Sequence, residues 1–314
     1  MGEGFAPPWA LILAGGDGTR LRSLTTQIAG DDRPKQFCAL LDGETLLERT
    51  RRRADLFARD DHQAIVVSRT HVPYWDALFH EVPPGRLVIQ PDNRGTAAGI
   101  VYPLLHISDL AGNVPVAILP SDHYVSDEHA FTAYVRAAVD VVRARPDLVV
   151  LLGIEPERPE TEYGWISASR RPLPVDGEPA FMIERFWEKP AQPLAERLFK
   201  AGCLWNSFVM VGWTNTFLDL VATSSPALLA AFAPLRLVIG LPQEARVVER
   251  IYQRLAPAGF SEAVLAAATR RLAVMRVKGV DWSDWGHPRR VLASLGHAGL
   301  RPAWIDRVRL AEAG

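Results

Sequence analysis

Along the first half of the chain, short continuous apolar runs alternate with longer amphipathic segments. WALILA (9–14), AIVVS (64–68), RLVIQ (86–90), PVAILP (115–120) and LVVLLGI (148–154) read as buried strands. Between them, apolar residues recur at helical spacing over 45–57, 72–82, 96–110 and 128–144. Pro103 is expected to shorten or kink the third of these helices. Strands alternating with helices imply parallel pairing through right-handed crossovers, hence a layered α/β sheet. In such sheets ligands gather beyond the carboxyl ends of the strands, where the loops meet.

Beyond residue 155 the rhythm changes. YGWISASRRPLP and AFMIERFWEKP flank a turn at Val175-Asp176-Gly177 and predict a small antiparallel insertion. Helical patterns fill much of 214–270, and RLAVMRV (271–277) predicts a late strand. The expected division is an α/β core over 1–214. A mostly helical part, 215–314, completes the site without forming an independent domain.

Composition changes this picture little. The 314 residues are 48% apolar and 23% charged, as in ordinary folded chains. A formal net charge of −1 gives no global field for nucleic acid or an anionic membrane. Arg51-Arg52-Arg53 is expected to be a solvated helix face. Cys38 and Cys203 are too few for a disulfide framework, and no Cys/His cluster suggests zinc. Glu3 stands where a leader would be basic, and the apolar run 9–14 is short for one. With no membrane-length apolar stretch, a cytoplasmic location is the expectation.

Chemistry first surfaces in LILAGGDGTR (11–20), an apolar run that breaks into glycines. A Walker loop ends in Gly-Lys-Ser/Thr, but here Gly18 precedes Thr19-Arg20. A dinucleotide fingerprint needs a third glycine where Leu21 stands. A plain strand-to-helix turn remains open on the loop alone.

Leu13-Ala14-Gly15-Gly16-Asp17-Gly18-Thr19-Arg20-Leu21 and Pro34-Lys35-Gln36-Phe37 together resemble the opening motif of the sugar-1-phosphate nucleotidyltransferases, most closely the mannose-1-phosphate guanylyltransferases. The resemblance continues through Gly95-Thr96-Ala97-Ala98, Leu119-Pro120-Ser121-Asp122-His123 and Tyr163-Gly164-Trp165-Ile166. Phe186-Trp187-Glu188-Lys189-Pro190, Trp205-Asn206-Ser207 and Val280-Asp281-Trp282-Ser283-Asp284-Trp285-Gly286 complete it. It implies a three-layer, Rossmann-like α/β fold with a mostly parallel sheet flanked by helices.

It also implies roles. A sugar-1-phosphate oxygen attacks the α-phosphorus of a nucleoside triphosphate and pyrophosphate leaves, a transfer that depends on positioning and charge stabilisation. Arg20 and Lys35 are the implied catalytic cations. Ala14, Gly15, Gly16, Gly18, Thr19, Gln90, Thr96 and Ser121 would hold the nucleotide, with Gln90 and Thr96 where the family reads the purine. Gly164, Glu188, Lys189 and Asn206 would hold the sugar phosphate. Asp122 and Asp284 would bind Mg²⁺ or Mn²⁺, with Asp281 a competitor for the second place. His123 is expected to be a structural neighbour, because the attacking oxygen is already anionic. The implied partners are an NTP and a sugar-1-phosphate, without nucleic acid or membrane; a homodimer is left open. GTP and mannose-1-phosphate are the implied pair. Another sugar-1-phosphate or NTP, or a non-catalytic sugar-nucleotide sensor, are the alternatives.

The chain departs from the family pattern in places. Leu21-Arg22-Ser23-Leu24 lacks a proline, Gly30-Asp31-Asp32-Arg33 lengthens the segment before Lys35, and Phe208 follows Trp-Asn-Ser where glycine is common. Asn93-Arg94-Gly95-Thr96-Ala97-Ala98 replaces the usual Arg-Asn-Thr-Ala-Pro-Ala. A stand-alone transferase is expected, without the cupin-like isomerase domain of bifunctional relatives.

Overall fold

The computed structural model describes residues 6–41, 43–80, 82–83 and 85–308, so Glu3 lies outside the described residues. The strands are β1 (Trp9–Ala14), β2 (Gln63–Ser68), β3 (Leu87–Gln90), β4 (Pro115–Pro120), β5 (Tyr124–Val125), β6 (Val149–Ile154), β7 (Trp165–Pro172), β8 (Ala180–Trp187), β9 (Leu204–Trp213), β10 (Leu272–Val277) and β11 (Trp282–Ser283). Nine of them form one sheet in the order β3-β2-β1-β4-β9-β6-β10-β8-β7. Every strand of that sheet except β8 and β9 runs in the same direction.

The helices are α1 (Arg22–Ala29), α2 (Leu46–Asp55), α3 (Val72–Phe79), α4 (Gly95–Ala111), α5 (Glu128–Ala144), α6 (Gln192–Lys200), α7 (Thr214–Ser224), α8 (Pro226–Ala231), α9 (Glu244–Arg254), α10 (Phe260–Ala263) and α11 (Pro288–His297). They make the outer two of three layers. Strand β1 shows why: Trp9 and Leu11 join the core under α4 and α7, whereas Ala10, Ile12 and Ala14 face the core under α2 and α5. Successive side chains on a strand point to opposite faces, so a strand covered on both faces reads as continuously apolar. A third cluster, with Leu21, Leu24, Tyr124, Trp285 and Trp304, packs beneath the loops at the ligand end.

The antiparallel hairpin β7–β8 is present, but it extends the main sheet. Its neighbour β10 pairs in parallel with β6 and antiparallel with β8. A boundary at residue 214 therefore cuts through one continuous sheet. Helix α4 runs unbroken from Gly95 to Ala111, so Pro103 does not shorten it. In the segment after Arg20, Arg22–Ala29 is helical, buries Leu24 and Thr25, and ends at Gly30 with φ 83°. Arg53 is a further correction to the solvated face. It is 2% exposed and forks onto Glu128, because α2 packs against the start of α5. Among the described residues, no single helix is long and apolar enough to cross a membrane.

Candidate active site

A cleft of about 470 Å³ opens at the carboxyl ends of β1 and β4. At one end it is lined by Gly16, Arg20, Gln36, Ser121, Asp122 and Asp284, and at the other by Gly164, Glu188, Lys189, Asn206 and Phe208. A smaller cavity of about 190 Å³ at the first end is walled by Gly18, Thr19, Arg20, Lys35 and Asp122. Residues from opposite ends of the chain thus share one edge of the sheet.

The glycine loop is held in place by its neighbours. Gln36 Nε2 donates to the carbonyls of Ala14 (3.1 Å) and Gly16 (2.7 Å). Ser121 donates to Leu13 O through both its amide (3.1 Å) and its hydroxyl (2.7 Å), which splices β4 onto the start of the loop. Gly15 has no room for a side chain, since a Cβ there would lie 2.3 Å from Gln90 Nε2.

Lys35 is the hub. Its side chain is only 7% exposed, yet Nζ stands 3.1 Å from Asp122 Oδ2. It also donates to the main-chain carbonyls of Asp284 and Trp285. The short β5–β11 pairing, Tyr124 with Ser283 and Val125 with Trp282, brings these distant segments together. Asp284 is half-buried, and burial alone would raise its carboxyl; Lys35 and Arg290 outweigh that and hold it down at about 2. Oδ1 of Asp284 accepts from Arg290 Nη1 (2.6 Å), Tyr163 OH (3.0 Å) and the Gly286 amide (2.9 Å). Oδ2 is left towards Arg20, at 3.6 Å.

Asp281 is placed elsewhere: its amide donates to Ser126 Oγ at 2.8 Å and its carboxylate lies 3.6 Å from His297. Of the two aspartates, Asp284 faces the cleft. His123 is buried, its Nε2 3.5 Å from Asp122 Oδ1, and burial pushes the ring below its ordinary value. Its ring packs edge-on against Trp282, beside Asp122.

At the far end, Glu188 and Asn206 converge on Gly164. A Cβ on Gly164 would lie 2.9 Å from Glu188 Oε2 and 3.2 Å from Asn206 Cβ. Burial raises the Glu188 carboxyl and Glu262 reinforces this, against the opposing pull of Lys189 and a bond with Ser261. Lys189 carries a left-handed backbone (φ 45°) and a largely exposed ammonium. Backbone strain of this kind collects where a site must hold a fixed shape.

The base-reading candidates are less directly placed. Gln90 is buried behind Gly15 and accepts from Tyr252 OH at 3.0 Å. Thr96 lines the cleft, but its hydroxyl oxygen accepts from the Phe260 amide at 2.8 Å. The stretch 258–262 clamps the start of α4, with Ala97 N on Ala258 O at 3.0 Å, and presents Ser261 and Glu262 to the cleft. That wall was not legible in the sequence.

Arg290 was also missed. It is buried, stacks 4.7 Å over the Tyr163 ring, and bonds Asp284 and Glu162, with Glu160 at 3.4 Å. Its only signal was an arginine six residues after Asp284. Glu162 in turn lies 3.2 Å from Arg20. Arg20, Lys35 and Arg290 are thus each already beside carboxylates, and a triphosphate entering here meets little uncompensated positive charge.

Among the described residues, no group of three or more His, Cys, Asp or Glu side chains could hold a metal by itself. Two aspartates nevertheless fit Mg²⁺, which takes one or two carboxylates and completes its shell with substrate phosphates and water.

A strand-end glycine loop, two aspartates flanking a lysine and a polar corner opposite share one cleft at the edge of an α/β sheet. The chain belongs to the nucleotidyl transferase family, whose model matches residues 9–290. It is 32% identical over 222 residues to the xanthan biosynthesis protein XanB of Xanthomonas campestris, covering 69% of this chain and 44% of that protein. It is 28% identical over 225 residues to the mannose-1-phosphate guanylyltransferase RfbM of Salmonella typhimurium, covering 70% of this chain and 45% of that one. A crystal structure from Thermus thermophilus, described as a mannose-1-phosphate geranyltransferase, superposes with a TM-score of 0.77 at 28% identity over 91% of this chain and 79% of that one. The chain spans about half the length of the curated relatives it matches.

Proposed function

We propose that the protein transfers a guanylyl group from GTP to mannose-1-phosphate, giving GDP-mannose and pyrophosphate. The observation that carries this is the two-ended cleft, with Arg20, Asp122 and Asp284 at one end and Gly164, Glu188 and Asn206 at the other. The choice of GTP and mannose rests on the relatives' names and is the finer part of the proposal.

In the reaction an anionic oxygen of the sugar phosphate attacks the α-phosphorus in line. A new P–O bond forms, the bond to the bridging oxygen of the β-phosphate breaks, and pyrophosphate departs with the electron pair. No proton needs to be removed from the nucleophile. Mg²⁺ held by Asp122 and Asp284 would neutralise phosphate oxygens and bring nucleophile and electrophile together. Lys35, clamped between those aspartates, orients them and adds a fixed positive charge. Arg20 is half exposed and free to turn from Glu162 to the departing pyrophosphate. Lys189 meets the sugar's phosphate, while Glu188 and Asn206 accept and donate to its hydroxyls.

The test is pyrophosphate release from each NTP with a panel of sugar-1-phosphates. GTP with mannose-1-phosphate is expected to give the highest kcat/KM. No turnover with any pair would overturn the proposal, and turnover with another pair would correct its finer part.

A further inference from the structure

We infer that Phe208 sets the size limit of the sugar subsite, so that the protein accepts plain hexose-1-phosphates and rejects those enlarged by an acyl substituent. The inference rests on the sugar-1-phosphate function proposed above.

Phe208 occupies a backbone conformation that disfavours it. Its φ is 61°, in the left-handed region that suits glycine, and a bulky residue there is an outlier. The conformation is imposed by a break in the sheet. Strand β9 pairs Met210 with Leu151 but Asn206 with Gly153, so β9 carries extra residues opposite Leu152. Side chains hold this bulge: Asn206 Oδ1 accepts from the Phe208 amide at 3.0 Å. Ser207 Oγ donates to Leu152 O at 2.6 Å and accepts from the Val209 amide at 3.2 Å. Bulges beside active sites re-aim a side chain, and this one turns residue 208 to the cleft.

The ring's position gives the strain a use. Phe208 is half-buried against the core that includes Phe186 and Phe260, and it lines the cleft beside Asn206, Glu188 and Gly164. Those polar neighbours can engage hydroxyls. An apolar ring among them offers no hydrogen bond to phosphate or hydroxyl, and on its cleft side it fills space against the sugar. The lower-strain residue at this backbone is glycine, and it would leave that space open. A fixed aromatic wall discriminates by exclusion, and a pocket that differs by even a small apolar group typically changes selectivity by about 10–200-fold.

The test compares wild type with F208G and F208A on mannose-1-phosphate, glucose-1-phosphate and their 2-acetamido counterparts, with GTP saturating. F208G removes ring and strain; F208A removes the ring and keeps the left-handed strain. Both are expected to raise kcat/KM for the 2-acetamido sugars relative to the plain hexoses by at least roughly tenfold, with KM for GTP unchanged. F208G is expected to melt above F208A, which shows that the backbone strain is real. An unchanged acceptor ratio in two folded variants overturns the inference. Wild type inactive on every acceptor would instead overturn the underlying function.

Discussion

Lys35 Nζ lies 3.1 Å from Asp122 Oδ2 and donates to the main-chain carbonyl of Asp284, so one buried ammonium spans both aspartates of the cleft. Asp122 lies just past the end of β4 and Asp284 directly follows β11, and the lysine bonds to both segments. On the proposed function, replacing it removes a positive charge at the reacting phosphates; it also takes away the partner of the Asp122 carboxylate and of the Asp284 main-chain carbonyl. K35M is expected to lower kcat by on the order of 10²–10³-fold, the usual effect of losing one such electrostatic group. Single-turnover measurements at saturating substrates read this directly; a wild-type rate would show that Lys35 only braces the fold.

The crowding of Arg20, Lys35 and Arg290 by carboxylates predicts strict dependence on a divalent cation. Chelation should abolish turnover, and D122A and D284A should each raise the half-saturating Mg²⁺ concentration by at least roughly tenfold. D281A should leave it unchanged, because Asp281 faces Ser126 and His297 instead. Metal titrations of the three variants distinguish these outcomes.

The sequence announced the parallel half of the sheet because β1, β2, β4 and β6 are buried on both faces and read as pure apolar runs. It concealed β9 for a related reason. LWNSFVMVGW is buried almost throughout, yet asparagine, serine and glycine interrupt it, so neither alternation nor a clean run appears. The glycine loop, Lys35, Asp122 and Asp284 stood out through the motifs that carry the family resemblance, and the fold brings them to one cleft. Arg290 and the wall at Ser261 and Glu262 were not, since their roles exist only after the strands β10 and β11 have brought the chain back. Gln90, which the resemblance places at the purine, has its amide behind Gly15 and bonded by Tyr252 OH.

Arg290 is a buried charge that ties three carboxylates together. Asp284, Glu160 and Glu162 all lie within 3.4 Å of its guanidinium, and it stacks on Tyr163. Removing one partner of such a buried group is expected to cost about 3–5 kcal/mol. R290M should therefore shift urea unfolding by about that amount, and R290K should recover only part of it, because an ammonium cannot reproduce the planar fork. A loss below about 1 kcal/mol would mean the carboxylates find other partners.

Away from the cleft, Glu244 makes stability depend on acid pH. It accepts from His106 Nε2 at 2.7 Å, Tyr102 OH at 2.9 Å and the Gly240 amide at 2.7 Å. Burial pushes its carboxyl up, but these donors prevail and its value in the folded state lies below the ordinary one. The carboxylate's contribution is therefore fully present above the unfolded value of about 4.3 and is lost as pH falls through the lower folded value. E244Q, which leaves donors misdirected, should cost about 1–3 kcal/mol at pH 7. The difference between wild type and E244Q should shrink in unfolding curves taken at progressively lower pH. A difference that stays constant down to about pH 3 would remove Glu244 as the source.

Gly164 packs against Glu188 and Asn206 at the far end of the cleft, and a single methyl tests whether the proposed sugar corner is independent of the phosphate end. A Cβ there would lie 2.9 Å from Glu188 Oε2, 3.0 Å from Phe186 Cζ and 3.2 Å from Asn206 Cβ. Phe186 and Asn206 are packed and cannot withdraw freely, so Glu188, the flexible member, must move. Displacing a positioning group by about 1 Å can cost on the order of 10²-fold. G164A is expected to raise KM for the sugar phosphate by roughly 10–100-fold while KM for GTP changes less than about twofold, because Arg20, Lys35 and both aspartates are untouched. Overpacking should also lower stability by about 1–3 kcal/mol. Equal increases in both KM values would mean that the two ends of the cleft are not independent, and the assignment of Gly164, Glu188 and Asn206 to the sugar would fail with them.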